Sequence, residues 1–423
     1  MSRIYYNILL WLLLPYIFFH LLWRARKQPE YRRRIPERFG LYASAAPSRP
    51  VIWLHTVSVG ETRAAVTLVR GLQQRYPGQQ ILLTHTTPTG METSLQLFGD
   101  SVQRVYLPYD FPFAVQRFLA HFRPQLGVLL ETEIWPNLIH ACQQNRIPLL
   151  LLNARLSQRS AAAYARFAGL TRAALGELAG VAAQTADDAA RLTQRGARDV
   201  AVMGNLKFDI EPPAAQLALG AQLRTRFGDS RRILLAASTR EGEEALLLAE
   251  LAKLPAGNLT VLVPRHPQRF DEVAALIEKH GLRYQRRSAN QAIAPETQIV
   301  LGDSMGELFA YYAACDLAFI GGSLLPFGGQ NLLEACAVGR PVLLGAHTYN
   351  FAQAAELAVA AGAALRVENA AALIEAAQAL LPDDARLGAM GAHGRRFVAA
   401  NQGATRRALE QIEARLRSGR DPV

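Results

Sequence analysis

Cysteine is scarce in this chain: Cys142, Cys315 and Cys336 are the only three among 423 residues. They are too few for a disulfide framework and show no metal-ligand spacing, a usage that fits a reducing compartment. The phosphate-binding and hydrolytic motifs are missing too. There is no Walker A run, no G-x-G-x-x-G and no H-E-x-x-H. The nine histidines are scattered, and no Asp-x-Asp pair is present. The default expectation is therefore chemistry without a bound metal. Helix-turn-helix, zinc-finger and aromatic RNA-binding signatures are also lacking, so the net charge of +11 points to anionic lipid or a phosphorylated substrate before nucleic acid.

What is present begins at the amino terminus. Ile4 to Trp23 is almost wholly apolar, interrupted by Asn7, Pro15 and His20. Twenty residues at helical rise cover roughly 30 Å, one hydrocarbon core. Tyr5, Tyr6, Trp11, Phe18, Phe19 and Trp23 enrich the run as interfacial aromatics do. Arg24, Arg26, Lys27, Arg32, Arg33, Arg34 and Arg38 follow it, whereas only Arg3 precedes it. The basic flank lies on the wrong side for a cleaved signal peptide, and it predicts a membrane anchor with the long remainder in the cytoplasm. Pro15 and His20 leave two forms open: a helix that spans, or one that lies in the interface.

From Val51 onward, short aliphatic runs alternate with helical patterns. Val51–Leu54, Ile81–Leu83, Leu126–Leu130 and Leu149–Leu152 lack polar alternation and read as strands buried on both faces. Helices are expected from near Glu61, Phe113, Trp135 and Thr185, and a last strand at Val200–Met203 leads into Gly204–Asp209. Pro212-Pro213 reads as a linker. A second series follows at Ile233–Leu235, Leu259–Val263, Ile299–Leu301, Leu317–Ile320 and Val342–Leu344, ending in a helical, basic stretch from about Ala385 to Ser418. The pattern predicts an α/β protein of two Rossmann-like domains with a cleft between them. The expected limits are 1–30 for anchor and basic flank, 31–211 and 212–400 for the two domains, and 401–423 for a final helix that crosses back to the first.

The chemistry-bearing residues stand at the predicted strand ends, where open α/β sheets bind ligands. His55-Thr56-Val57-Ser58-Val59-Gly60-Glu61 places a carboxylate at a helix opening, and the plain alternative is a helix N-terminal charge stabilised by the dipole. Glu131-Thr132-Glu133 puts two carboxylates past a buried strand. Lys207 lies in an otherwise uncharged Gly-Asn-Leu-Lys-Phe segment; it and Arg155 are also plausible partners for Glu131 or Glu133. In the second half, Arg265 offers a fork-shaped cation suited to phosphate. Asp303-Ser304-Met305-Gly306-Glu307 is a turn whose amides open a helix. Gly321-Gly322-Ser323 and Gly328-Gly329-Gln330-Asn331-Leu332-Leu333-Glu334 permit close approach of backbone to ligand.

Several segments, in this order, resemble the bacterial 3-deoxy-D-manno-octulosonic acid (Kdo) transferases. They are His55–Glu61, Thr87-Pro88-Thr89-Gly90, Tyr106–Asp110, Glu131-Thr132-Glu133-Ile134-Trp135-Pro136-Asn137, Asn153–Ser157, Gly204–Asp209, Pro264–Pro267 and Gly328–Glu334. The chain departs from the usual pattern at Gln330–Leu333, where members often carry His and Pro. The resemblance implies a GT-B-type glycosyltransferase that moves Kdo from CMP-Kdo to the lipid A precursor, lipid IVA, in lipopolysaccharide biosynthesis. Glu61 would be the general base, while Glu131 and Lys207 would stabilise the transition state. CMP contacts would fall on Pro264, Arg265, Met305, Gly306, Glu307, Asn331, Leu332, Leu333 and Glu334. It implies no metal and no cofactor besides the donor substrate, no nucleic acid, and membrane lipid as a partner at the cytoplasmic face of the bacterial inner membrane. Two rival readings are another sugar-nucleotide enzyme, such as a UDP-sugar transferase or epimerase, and a non-catalytic membrane-tethered nucleotide-binding regulator.

Overall fold

The computed structural model describes residues 2–418. The aliphatic runs are strands because β-branched and leucine side chains pack on both faces of a parallel sheet covered by helices. The first sheet holds β1 (Val51–His55), β2 (Gln80–His85), β3 (Gln103–Tyr106), β4 (Pro124–Leu130), β5 (Leu149–Ala154), β6 (Gly180–Ala183) and β7 (Val200–Val202). Its strands are all parallel in the order β3-β2-β1-β4-β5-β6-β7. The second holds β8 (Ile233–Thr239), β9 (Leu259–Pro264), β10 (Tyr284–Arg286), β11 (Ile299–Leu301), β12 (Leu317–Ile320), β13 (Val342–Leu344) and β14 (Ala364–Arg366). It is likewise parallel, in the order β10-β11-β9-β8-β12-β13-β14.

In each sheet the winding direction reverses once, between β1 and β4 and between β8 and β12. The carboxyl ends of those neighbouring strands diverge into a crevice, the place where doubly wound sheets hold ligands. Trp53 is fully buried beneath the first crevice and donates from Nε1 to Thr84 Oγ1 at 2.8 Å, anchoring β1 to β2.

The chain divides into two compact units, Met1–Asp209 with Gln402–Val423, and Ile210–Asn401. The last helix, Ala404–Ser418, packs on the first sheet's helix Val66–Arg75 and on β4 and β5. Ala404, Ala408 and Ile412 are fully buried there, and the helix start is held by Asp209, which accepts the Gly403 and Thr405 amides.

The apolar amino terminus is one helix, Arg3–Lys27, long and apolar enough to cross a membrane. One stripe of it faces its own unit: Asn7, Leu10, Leu14 and Ile17 are half-buried, and Leu21 and Ala25 are buried. Tyr6 donates its hydroxyl to Asp110 at 3.0 Å, Asn137 Nδ2 donates to Asn7 Oδ1 at 2.6 Å, and Trp11 packs on Phe111 and Phe113. Ile4, Tyr5, Ile8, Leu12 and Phe19 point outward. In the basic flank Arg38 is not free for an external anion. It is buried, its guanidinium lies 4.1 Å from the Tyr106 ring centroid, and it donates to the Thr86 carbonyl.

Candidate active site

At the first switch point, β1 ends in His55 and the chain turns into the short helix Val59–Ala64. Ser58 caps it: its Oγ accepts the Glu61 amide at 3.3 Å and donates to Glu61 Oε1 at 2.9 Å, while the Val57 amide donates to Glu61 Oε2 at 2.7 Å. This is a variant of the capping box, with Ser58 at the cap and Glu61 three residues on, in which Glu61 takes the Val57 amide and the Ser58 hydroxyl in place of the Ser58 amide. The structural role foreseen as the alternative is thus present. It does not exhaust the residue. Glu61 is 7% exposed, and burial, reinforced by the charge of Glu131, pushes its carboxyl up to about 7 against the opposing Val57 and Ser58 hydrogen bonds. A carboxylate near 7 exchanges protons at neutral pH, which a plain helix cap does not require.

Across the switch point, β4 runs into Glu131. This residue adopts a left-handed backbone, φ 61°, that costs a non-glycine residue free energy and often marks functional sites. Its amide donates to the Leu152 carbonyl at 3.1 Å, and its Oε1 lies 3.8 Å from Lys207 Nζ. Lys207 follows β7 and is placed by a relay of polar side chains. Asn205 Oδ1 accepts the Lys207 amide, Asn205 Nδ2 donates to Gln184 Oε1, and Gln184 Nε2 donates to the Asn153 carbonyl, each at 3.0 Å. Asn153 Oδ1 accepts the Leu206 amide. The Lys207–Glu131 pairing foreseen from sequence is therefore present, whereas the Arg155 side chain is exposed and its carbonyl accepts the Thr132 hydroxyl. Glu133 Oε2 accepts the Trp135 indole N–H at 2.8 Å. Burial holds Glu133 above the usual carboxylate range, and the Glu131 charge adds to it.

At the second switch point, Glu243 does the work that sequence reading missed. Fully buried, it accepts the amides of Arg240 at 2.9 Å, Gly322 at 2.6 Å and Leu324 at 2.9 Å, tying the loop after β8 to the loop after β12. An acidic run just past a buried strand, Glu241 to Glu244, was the available signal. Gly321 is obligatory there, because a Cβ would stand 2.4 Å from the Ser238 carbonyl oxygen.

The foreseen nucleotide contacts distribute around this unit's carboxyl edge. Pro264 ends β9, and the Arg265 amide donates to the Thr239 carbonyl at 2.9 Å. Met305 is 60% exposed and Gly306 has φ 77°. Glu307 accepts from Ser304 Oγ at 2.7 Å and pairs with Arg287 at 3.3 Å. Asn331 Nδ2 donates to Glu334 Oε1 at 3.1 Å, and Asn331 Oδ1 accepts the Leu333 amide at 3.1 Å. Leu332 and Leu333 are fully buried. The helix that opens there is the six-residue Leu333–Val338, and Asn331 takes the amide of its first residue. Among the described residues no three His, Cys, Asp or Glu side chains are grouped as metal ligands.

Two parallel doubly wound units, each with its polar cluster at a switch point, define a GT-B-type glycosyltransferase architecture. A solved glycosyltransferase from Rickettsia africae shares the fold, with a TM-score of 0.57 at 15% identity over 88% of this chain and 99% of that one. Residues 33–210 match the family model described as 3-deoxy-D-manno-octulosonic-acid transferase (kdotransferase). The chain is 44% identical to the 3-deoxy-D-manno-octulosonic acid transferase of Bordetella pertussis, over 98% of this chain and 99% of that one. It is 40% identical to that of Haemophilus influenzae, with the same coverage. The chain belongs to the 3-deoxy-D-manno-octulosonic acid transferase family.

Proposed function

We propose that this chain transfers Kdo from CMP-Kdo to the lipid A precursor, lipid IVA, releasing CMP and inverting the anomeric centre, as a step of lipopolysaccharide core assembly. The observation that carries the reading is Glu61, a buried carboxylate at the switch point whose surroundings push it up to about 7. The acceptor hydroxyl gives its proton to Glu61 as its oxygen attacks the anomeric carbon, and the bond from that carbon to the CMP phosphate breaks. A base placed in this way contributes roughly 10²- to 10⁴-fold. Glu131 stabilises the oxocarbenium character of the sugar. Lys207 moderates that carboxylate, and Arg265 and the turn at Gly306 meet the charge on the departing phosphate. The leaving group carries a single phosphate and fixed cations are at hand, so the reading requires no metal. One displacement by a hydroxyl inverts β to α.

The unit around β8 to β14 is assigned to CMP-Kdo, through Pro264, Arg265, Met305 to Glu307 and Asn331 to Glu334. The unit around β1 to β7 is assigned to the lipid. The outward face of the amino-terminal helix would sit in the cytoplasmic leaflet of the inner membrane, where the lipid acceptor is confined. Isotope-labelled CMP-Kdo and UDP-GlcNAc offered side by side with lipid IVA test the assignment. Label should pass to lipid from CMP-Kdo; turnover of UDP-GlcNAc alone would remove it.

A further inference from the structure

His55 is fully buried, and its tautomer is set by its surroundings. Nδ1 lies 3.1 Å from the Thr84 carbonyl oxygen, which only accepts, so Nδ1 carries the hydrogen. The Thr84 hydroxyl, 2.9 Å from Nδ1, receives the Trp53 indole N–H and donates its own hydrogen to the Leu54 carbonyl at 3.5 Å, so toward Nδ1 it too is an acceptor. Burial, reinforced by neighbouring His85, pushes the imidazole down to about 3, so the ring is neutral. Nε2 is then a bare lone pair. It finds no hydrogen-bond partner among the described residues, and a buried acceptor left unmet is costly. Glu133 Oε2 stands 4.0 Å from Nε2. An ionised Glu133 would set two acceptors face to face. A protonated one supplies the missing donor, and rotation of its side chain, 23% exposed, closes the remaining distance of about 1 Å to hydrogen-bond length.

We propose that Glu133 holds a proton as a neutral carboxylic acid and donates it to His55 Nε2, making the pair a positioning device for the base Glu61. This rests on the reading of Glu61 given above. Three carboxylates meet at this switch point. Glu131 is balanced by Lys207 at 3.8 Å, and Glu133 is balanced by its proton. Glu61 is then the carboxylate left to change charge during the reaction. The groups that face Glu133 are His55 from β1, Glu61 from the helix Val59–Ala64, Glu131 in its own loop with Lys207 behind it, and Tyr164 from the helix Gln158–Ala165. His85 faces His55 from the end of β2.

The test uses the full-length protein. Infrared difference spectra of wild type against Glu133→Gln at pH 7 should show the loss of one protonated-carboxyl C=O band. Loss of ionised-carboxylate bands alone would overturn the proposal. In the pH profile of kcat/KM, E133Q should leave the position of the acidic limb where the wild type has it, because an uncharged group has been exchanged for an uncharged group. A limb shifted toward lower pH would show that Glu133 had been a carboxylate, and would also overturn the proposal. His55→Phe, which deletes the lone pair, should ionise Glu133 and raise the limb by about 1 pH unit. H55F with E133Q should return it. Should H55F fail to fold, the two E133Q readouts decide. The infrared band needs no turnover, so absence of Kdo transfer with the band intact would sink the reading of Glu61's reaction and leave the shared proton standing.

Discussion

Glu61 serves two purposes that pull on its charge in opposite directions. The Val57 and Ser58 hydrogen bonds favour the carboxylate and the helix it caps, while burial favours the neutral acid, and burial prevails. The consequence for stability has a definite sign. The folded value of about 7 stands above the unfolded value of 4.5, so the contribution is present in full below 4.5 and is lost as pH rises through 7. Glu61→Gln should therefore raise the thermal unfolding midpoint at pH 8 while lowering kcat roughly 10²- to 10⁴-fold, the stabilisation reaching up to about 3 kcal/mol. A variant both slower and less stable at pH 8 would count against a buried base. For the wild type, kcat/KM should fall as pH drops below about 7. Lys207→Ala leaves Glu131 without its cation at 3.8 Å, which in the proposed mechanism unbalances the carboxylate beside the sugar. It should reduce kcat on the order of 10²-fold in a steady-state transfer assay, with the circular dichroism spectrum unchanged.

At the scale of elements, the amino-terminal helix is the informative one. Its length alone is compatible with crossing a bilayer. Yet Tyr6 and Asn7, near its first turn, are hydrogen-bonded to Asp110 and Asn137, and Trp11 stacks on Phe111 and Phe113. Those partners start helices at the carboxyl edge of the first sheet, the edge that also carries Glu61 and Glu131. A helix pinned there at its beginning runs along its own unit, with Ile4, Ile8, Leu12 and Phe19 turned outward. A cysteine introduced as Ser2→Cys should then react with a membrane-impermeant thiol reagent from the cytoplasmic side of inverted vesicles. The three native cysteines are buried and stay silent. Labelling only from the opposite side would establish a spanning helix. The strand ladder shows what was legible. Aliphatic runs such as Val51–Leu54 and Ile299–Leu301 announced the central strands. Gln103–Tyr106 and Tyr284–Arg286 were not recognised, because edge strands bury one face and carry polar residues on the other. Gly180–Ala183 escaped because its glycine and alanines carry no aliphatic signal.

At the scale of the molecule, each half repeats one arrangement: a parallel sheet whose winding reverses once, with a buried glutamate just past the first strand at the reversal. In one half this is Glu61 and in the other Glu243, which joins two loops through three amides. The strand-end motifs were legible because glycines and charges interrupt aliphatic runs. The left-handed turn at Glu131, the capping of Glu61 and the orphaned lone pair of His55 were not, since each depends on backbone or side-chain partners far away in sequence. The final helix also belongs to this scale. Leu409, Ile412 and Leu416 bury their side chains against the first sheet's unit. Removing residues 402–418 should lower that unit's unfolding free energy by at least about 5 kcal/mol, seen as a lower denaturant midpoint. An unchanged midpoint would mean the helix contributes no core.

The most direct test of the account is the mass of the lipid after purified protein meets CMP-Kdo and lipid IVA. Wild type should add whole Kdo masses to the lipid and release CMP in equal number, and Glu61→Gln should yield almost no product in the same time. Undiminished product from E61Q, or an unaltered lipid from a folded wild type, would contradict it.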